Sequence, residues 1–213
     1  MNARKFFRLR FPALVACVVI VGTGVTRAED VVYIEEHWEL TVGGPTIDRC
    51  APQVSLVMSP SGDMNSHYFV FLLNHSTSPG FVPGGLQMQH WNGDLLVSTR
   101  NSSHGDILSY DNETIRWVQK LSIRDGRIVF DVDDGESETW GSFANGDGLF
   151  MPTNVSLQRL NNYQPAVSIG ESGITFAGNR VSSLVLTKLV WRTSSGATSE
   201  LVAPIDIDTD IDP

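Results

Sequence analysis

Apolar and polar residues alternate along this chain with a period of two, the spacing that sends successive side chains to opposite faces of a β-strand. Runs rich in Val, Ile, Leu and aromatic residues cover 31–42, 54–58, 68–73, 86–99, 115–133 and 181–191. Glycines and the pairs Asn92-Gly93 and Asp125-Gly126 break them up. No amphipathic helical pattern longer than two turns is present. The pattern predicts an all-β protein, an antiparallel β-sandwich of jelly-roll type.

Two hairpins are readable residue by residue. Asp125-Gly126 predicts a two-residue turn that pairs Ile123 with Ile128, Leu121 with Phe130 and Gln119 with Val132. The inner face then carries Ile115, Trp117, Leu121, Ile123, Ile128, Phe130 and Val132, with Gln119 as its polar member. On the other face Lys120 meets Asp131, an expected cross-strand ion pair. The earlier hairpin is expected to turn at Asn92-Gly93 in a type I′ turn, with Trp91 opposite Asp94, His90 opposite Leu95 and Met88 opposite Val97. Its apolar face would hold Leu86, Met88, His90, Leu95 and Val97. Its other face would hold Gln87, Gln89, Trp91, Asp94, Leu96 and Ser98. The run 68–73 is apolar on both faces, as is 181–191 apart from Ser182, Ser183, Thr187 and Lys188, as in a covered central strand. The stretch 141–173 is loop-rich, and 204–213 reads as an acidic tail that frays.

The N-terminus changes the picture of where the protein works. Arg4, Lys5, Arg8 and Arg10 precede an apolar run from Phe11 to Val25, and Thr26-Arg27-Ala28 supplies a small-residue cleavage site. Residues 1–28 therefore read as a secretory signal peptide, and 29–203 as one sandwich domain. The apolar run is short for a span, so no membrane span is expected after cleavage. Leu14-Val15-Ala16-Cys17 offers lipidation at Cys17 as a less favoured alternative. The expected location is secreted, periplasmic or at the cell surface.

The full chain carries 15 Lys and Arg against 24 Asp and Glu, a formal charge of −9. Removal of residues 1–28 takes away five cations and no acid, leaving 10 against 24, or −14. Such a surface repels phosphate backbones, so nucleic acid is excluded as an expected partner. One cysteine, Cys50, remains after cleavage; no internal disulfide can form, and a buried thiol is the simplest reading.

Candidate chemistry comes from four places. Trp91, with Gln87, Gln89 and Asp94 around it, has the make-up of a sugar-stacking platform, an aromatic ring ringed by amides and a carboxylate. Asp133, Asp134 and Glu136 follow the second hairpin as an oxygen-rich loop that suits Ca²⁺, although Gly135 stands one place too early for an EF-hand. His37, His67, His75, His90 and His104 lie in the first half, without a metal-binding spacing, and only strand pairing could gather them. Glu136 and Glu138 would share one face of a strand as a glycanase-type carboxylate pair. The sequence contains no Gly-x-Ser-x-Gly, His-Glu-x-x-His or phosphate-binding glycine loop.

Four segments add a resemblance: Gly84-Gly85-Leu86-Gln87-Met88-Gln89-His90-Trp91, Glu138-Thr139-Trp140-Gly141-Ser142-Phe143, Ser172-Gly173-Ile174-Thr175-Phe176 and Gly178-Asn179-Arg180-Val181. Together they resemble a group of uncharacterised secreted bacterial proteins whose shape is similar to concanavalin-like and laminin-G-like sandwiches. The resemblance implies lectin-like binding or glycan hydrolysis, by analogy of fold only. The expectation is a secreted, non-catalytic domain that binds a glycan or another extracellular partner. The alternatives are a polysaccharide-active glycoside hydrolase and a structural cell-surface protein that assembles through an open sheet edge.

Overall fold

The computed structural model describes residues 29–44, 54–73, 85–103, 108, 110–146, 149–174, 181–202 and 204–207. The expected signal peptide, Cys17, Cys50, His75 and His104 lie outside them. The chain begins with β1 (Val31–Val42), β2 (Val54–Met58), β3 (His67–Leu73), β4 (Gly85–Asn92) and β5 (Leu95–Ser103). It continues through β6 (Glu113–Arg124), β7 (Arg127–Ser137), β8 (Gly141–Phe143) and β9 (Phe150–Ser156). A short helix, α1 (Pro165–Glu171), leads to β10 (Gly173–Ile174), β11 (Val181–Thr193), β12 (Thr198–Leu201) and β13 (Ile205–Asp206).

The strands form two antiparallel sheets packed face to face, as the period of two predicts. The larger runs β12-β11-β1-β6-β7-β8, with β13 paired to β11 and β9 paired to β7. The smaller runs β10-β2-β3-β4-β5. Inward residues of both sheets interleave in one core. Phe69 of β3 meets Phe130 of β7 with ring centroids 5.2 Å apart, and Phe71 meets Trp117 of β6 at 5.8 Å. All four side chains are buried. Each such burial contributes about 1.5–3 kcal/mol, so these sheet-to-sheet contacts hold the sandwich closed. No helix among the described residues is long and apolar enough to cross a membrane.

The second hairpin has the predicted register throughout, and Asp125 and Gly126 both take positive φ as the turn requires. Its ion pairs differ. Lys120 faces Asp131 in register but bonds Asp133 at 3.1 Å, while Asp131 accepts from Arg124 Nη2 at 2.8 Å. Lysine is long enough to pass its direct neighbour.

The first hairpin departs further from expectation. Asn92 pairs with Leu95, so the turn residues are Gly93 and Asp94, and positive φ falls on Gly93. That is the pattern of a type II′ turn, which wants glycine first. Trp91 then faces Leu96, not Asp94. A bulge follows, because His90 pairs with Ser98 and Val97 is the extra residue. The tail differs too: Ile205 and Asp206 pair with Leu186 and Val185 of β11.

Gly135 shows how close the packing is. A Cβ there would stand 2.4 Å from the ring of its cross-strand neighbour Phe143, which is fully buried. Gly135→Ala must displace that ring or bend β7. Overpacking of this kind costs about 1–3 kcal/mol, and a urea midpoint equal to that of the wild type would show that the site yields freely.

Candidate active site

Among the described residues, the bulge in β5 builds the arrangement richest in chemistry. By restoring pairing one residue late, it turns Ser98 to the inner side, opposite His90. His67, at the start of β3, lies diagonally across from His90 on the same face. The two imidazoles meet, with His67 Nδ1 3.0 Å from His90 Nε2. His90 is buried and stacks on Phe69 with centroids 4.9 Å apart; His67 is half-buried. Burial, and then the nearby His67 charge, pushes His90 down to about 4. The pair is therefore unwilling to hold two extra protons.

These rings border a cleft of about 710 Å³, whose other walls are Val97 and Ser98 of β5 and residues 152–156 of β9. Its hydroxyls are not equivalent. Thr153 donates to Ile128 O at 2.8 Å and accepts from Val155 N at 3.1 Å, so it serves the backbone. Ser98 donates only to Met151 Sδ at 3.8 Å, a weak acceptor. Among the described residues β5 is the edge of the smaller sheet, and β9 borders β7 alone. The cleft thus runs between two strand edges.

The platform expected at Trp91 has a different character. Gln87, Gln89 and Trp91 do share the outer face of β4, and Asp94 sits apart in the turn. Trp91 Nε1 donates to Gln89 Oε1 at 2.8 Å, Gln89 Nε2 donates to Gln87 Oε1, and Gln87 Nε2 donates to Asn101 at 3.0 Å. Tyr68 stacks beside Trp91, its ring nearly parallel and 6.2 Å away. Each glutamine amide gives one N–H and one oxygen lone pair to this ladder.

The acidic loop is likewise engaged. Asp133 holds Lys120 and accepts from Asp134 N at 3.0 Å, while Asp134 stands 3.8 Å from the same lysine. Glu136 is exposed and lies across from Arg116 in register. Among the described residues no group of three His, Cys, Asp or Glu side chains could hold a metal ion. The proposed carboxylate pair also separates, because β7 ends at Ser137 and leaves Glu138 in the following turn. Shared strand geometry cannot then set the two acids side by side.

One acid escaped the sequence reading. Glu36 of β1 points inward between the sheets and is wholly buried. Its Oε2 accepts from Trp38 Nε1 at 3.0 Å and Gln119 Nε2 at 2.6 Å, and its Oε1 accepts from the Tyr163 hydroxyl. Burial raises its pKa, against the lowering effect of those three donors. Tyr163 also borders an apolar hollow of about 300 Å³ beside Ile34, Leu189 and Trp191. With no exposed surface, Glu36 is a member of the core and does not meet a substrate. The signal was available: alternation places it with Ile34, Trp38, Leu40 and Val42.

No family model matches the chain, and no curated protein does. Among solved structures it is similar to scytalidoglutamic peptidase bound to a peptide-based transition-state analogue. That match has 9% identity, covers 82% of each chain and gives a TM-score of 0.33. A second is SCP-B, a member of the eqolisin family of peptidases, in complex with the tripeptide Ala-Ile-His. Its identity is 8%, its coverage 82% of this chain and 81% of that one, and its TM-score 0.30. The expectation of a non-catalytic domain for a glycan or extracellular partner is not met by these comparisons: the similar structures are peptidases. They transfer no residue roles at such scores.

Proposed function

We propose that this chain is a hydrolase, that its active site is the cleft between β5 and β9, and that it acts on polypeptide in extended form. The observation that carries the reading is the His67–His90 contact at the wall of that cleft. Hydrolysis needs a group that takes a proton from the attacking oxygen and returns it to the leaving group. His90 is held neutral by burial, and the mechanism assigns its Nε2 as acceptor of the Nδ1 proton of His67. That fixes the tautomer of His67 and leaves its Nε2 lone pair to act as general base. The attacking oxygen is that of Ser98 or of water. The imidazolium formed on His67 is steadied by His90 and then protonates the departing amine.

The substrate class follows from the walls. Strand edges carry rows of unpaired N–H and C=O groups, which an extended peptide can bond by adding as a strand. The test is incubation of the full-length protein with an unfolded polypeptide, counting new amino termini. Cleavage by the wild type is expected; no new termini at any pH between 4 and 9 overturns the proposal. Ser98→Ala then identifies the nucleophile, since loss of cleavage names Ser98 and retention names water.

A further inference from the structure

We propose that the His67–His90 pair is also a binding site for a divalent transition metal, zinc or copper, which shuts off the proton transfer. Two imidazole nitrogens bound to one tetrahedral ion, each at 2.0–2.1 Å, stand about 3.3 Å apart. His67 Nδ1 and His90 Nε2 are already 3.0 Å apart, so a small opening of the pair admits the ion. The rigid part is supplied by the sheet: β3 and β4 pair from His67–Asn92 to Leu73–Leu86 without a bulge, which fixes the spacing of the two side chains. Both ligands are imidazoles, and imidazole suits zinc and copper. The cleft beside them leaves room for solvent or hydroxyl oxygens in the remaining positions. No Lys or Arg is among its lining residues, and Arg127 Nη1 donates to the lining Asn154 Oδ1 at 3.1 Å.

Binding needs a lone pair on each facing nitrogen. At present one proton lies between them. When the metal replaces it, His67 changes tautomer and carries that proton on Nε2. No proton is gained or lost, but the general base of the proposed reaction is capped. The binding itself stands without the hydrolase reading; the inhibition rests on it.

The experiment is calorimetric titration of the full-length protein with Zn²⁺ at neutral pH, with histidine ¹⁵N spectra of the same samples. One ion per chain is expected, with shifts at His67 Nδ1 and His90 Nε2. His67→Ala, at a half-buried position, should weaken binding at least about tenfold. His37→Ala on the opposite sheet should leave it unchanged. Equal affinity in His67→Ala, shifts confined to other histidines, or no binding would each overturn the metal site. Binding that leaves cleavage untouched would overturn the inhibition alone. A wild type that binds zinc and cleaves nothing would count against the hydrolase and not against the metal.

Discussion

His67→Asn is expected to lower turnover by about 10²–10⁴-fold, the contribution of a positioned general acid–base group. Asparagine keeps a side-chain N–H for His90 Nε2 but has no atom that can take a proton at working pH. Substrate contacts made by the strand edges are untouched, so the loss should fall on kcat with KM changed by less than about threefold. A structural role would show the reverse, with a lowered urea midpoint and a general loss of substrate affinity. His90→Phe supplies the matching case. It retains the stack on Phe69 and removes the acceptor that fixes the tautomer of His67. It should therefore reduce kcat by a smaller factor, as a positioning residue does. Steady-state kinetics on an unfolded polypeptide, with the midpoint of each variant as control, checks both. Full activity in His67→Asn would remove the imidazole pair from the chemistry.

How much of this was legible in the sequence depends on what fixed each register. The hairpin of β6 and β7 was, because Asp125-Gly126 sets the turn and every later pair agrees with it. The choice of Asp133 by Lys120 was not, since it turns on side-chain reach rather than on pairing. Asn92-Gly93 gave a turn but the wrong one. The pairing moved by two residues, which leaves the faces as expected, and then the bulge at Val97 moved it by one more. A shift of one exchanges the two faces of a strand, and so Ser98, read as an outer residue, came to stand beside His90. The imidazole pair was hidden for another reason. His67 and His90 lie 23 residues apart, and only the register of β3 against β4 joins them. Leu95, Leu96 and Val97 are all substantially exposed, which an alternating pattern does not anticipate at a bulged edge.

Glu36→Ala should destabilise the fold by about 3–5 kcal/mol, more than any exposed acid of the same strand. Three donors converge on that carboxyl, from Trp38, Gln119 and Tyr163. Alanine leaves all three without their acceptor, and each lost partner in a dry site carries a desolvation cost of about 1–3 kcal/mol. It also leaves a void between two close-packed sheets, which costs more the less they close into it. Tyr163→Phe removes one donor and no volume, and should cost about 1 kcal/mol. The pH dependence separates this account from loss of packing. Burial raises the Glu36 pKa above its ordinary 4.5, so the folded state binds this proton more tightly than the unfolded chain does. Its contribution is fully present below pH 4.5 and declines as pH rises through the folded value. The difference in urea stability between wild type and Glu36→Ala should therefore be widest in acid and narrow toward neutral pH. A gap that widens as pH rises would mean that Glu36 is ionised in the fold and that its three donors outweigh its burial.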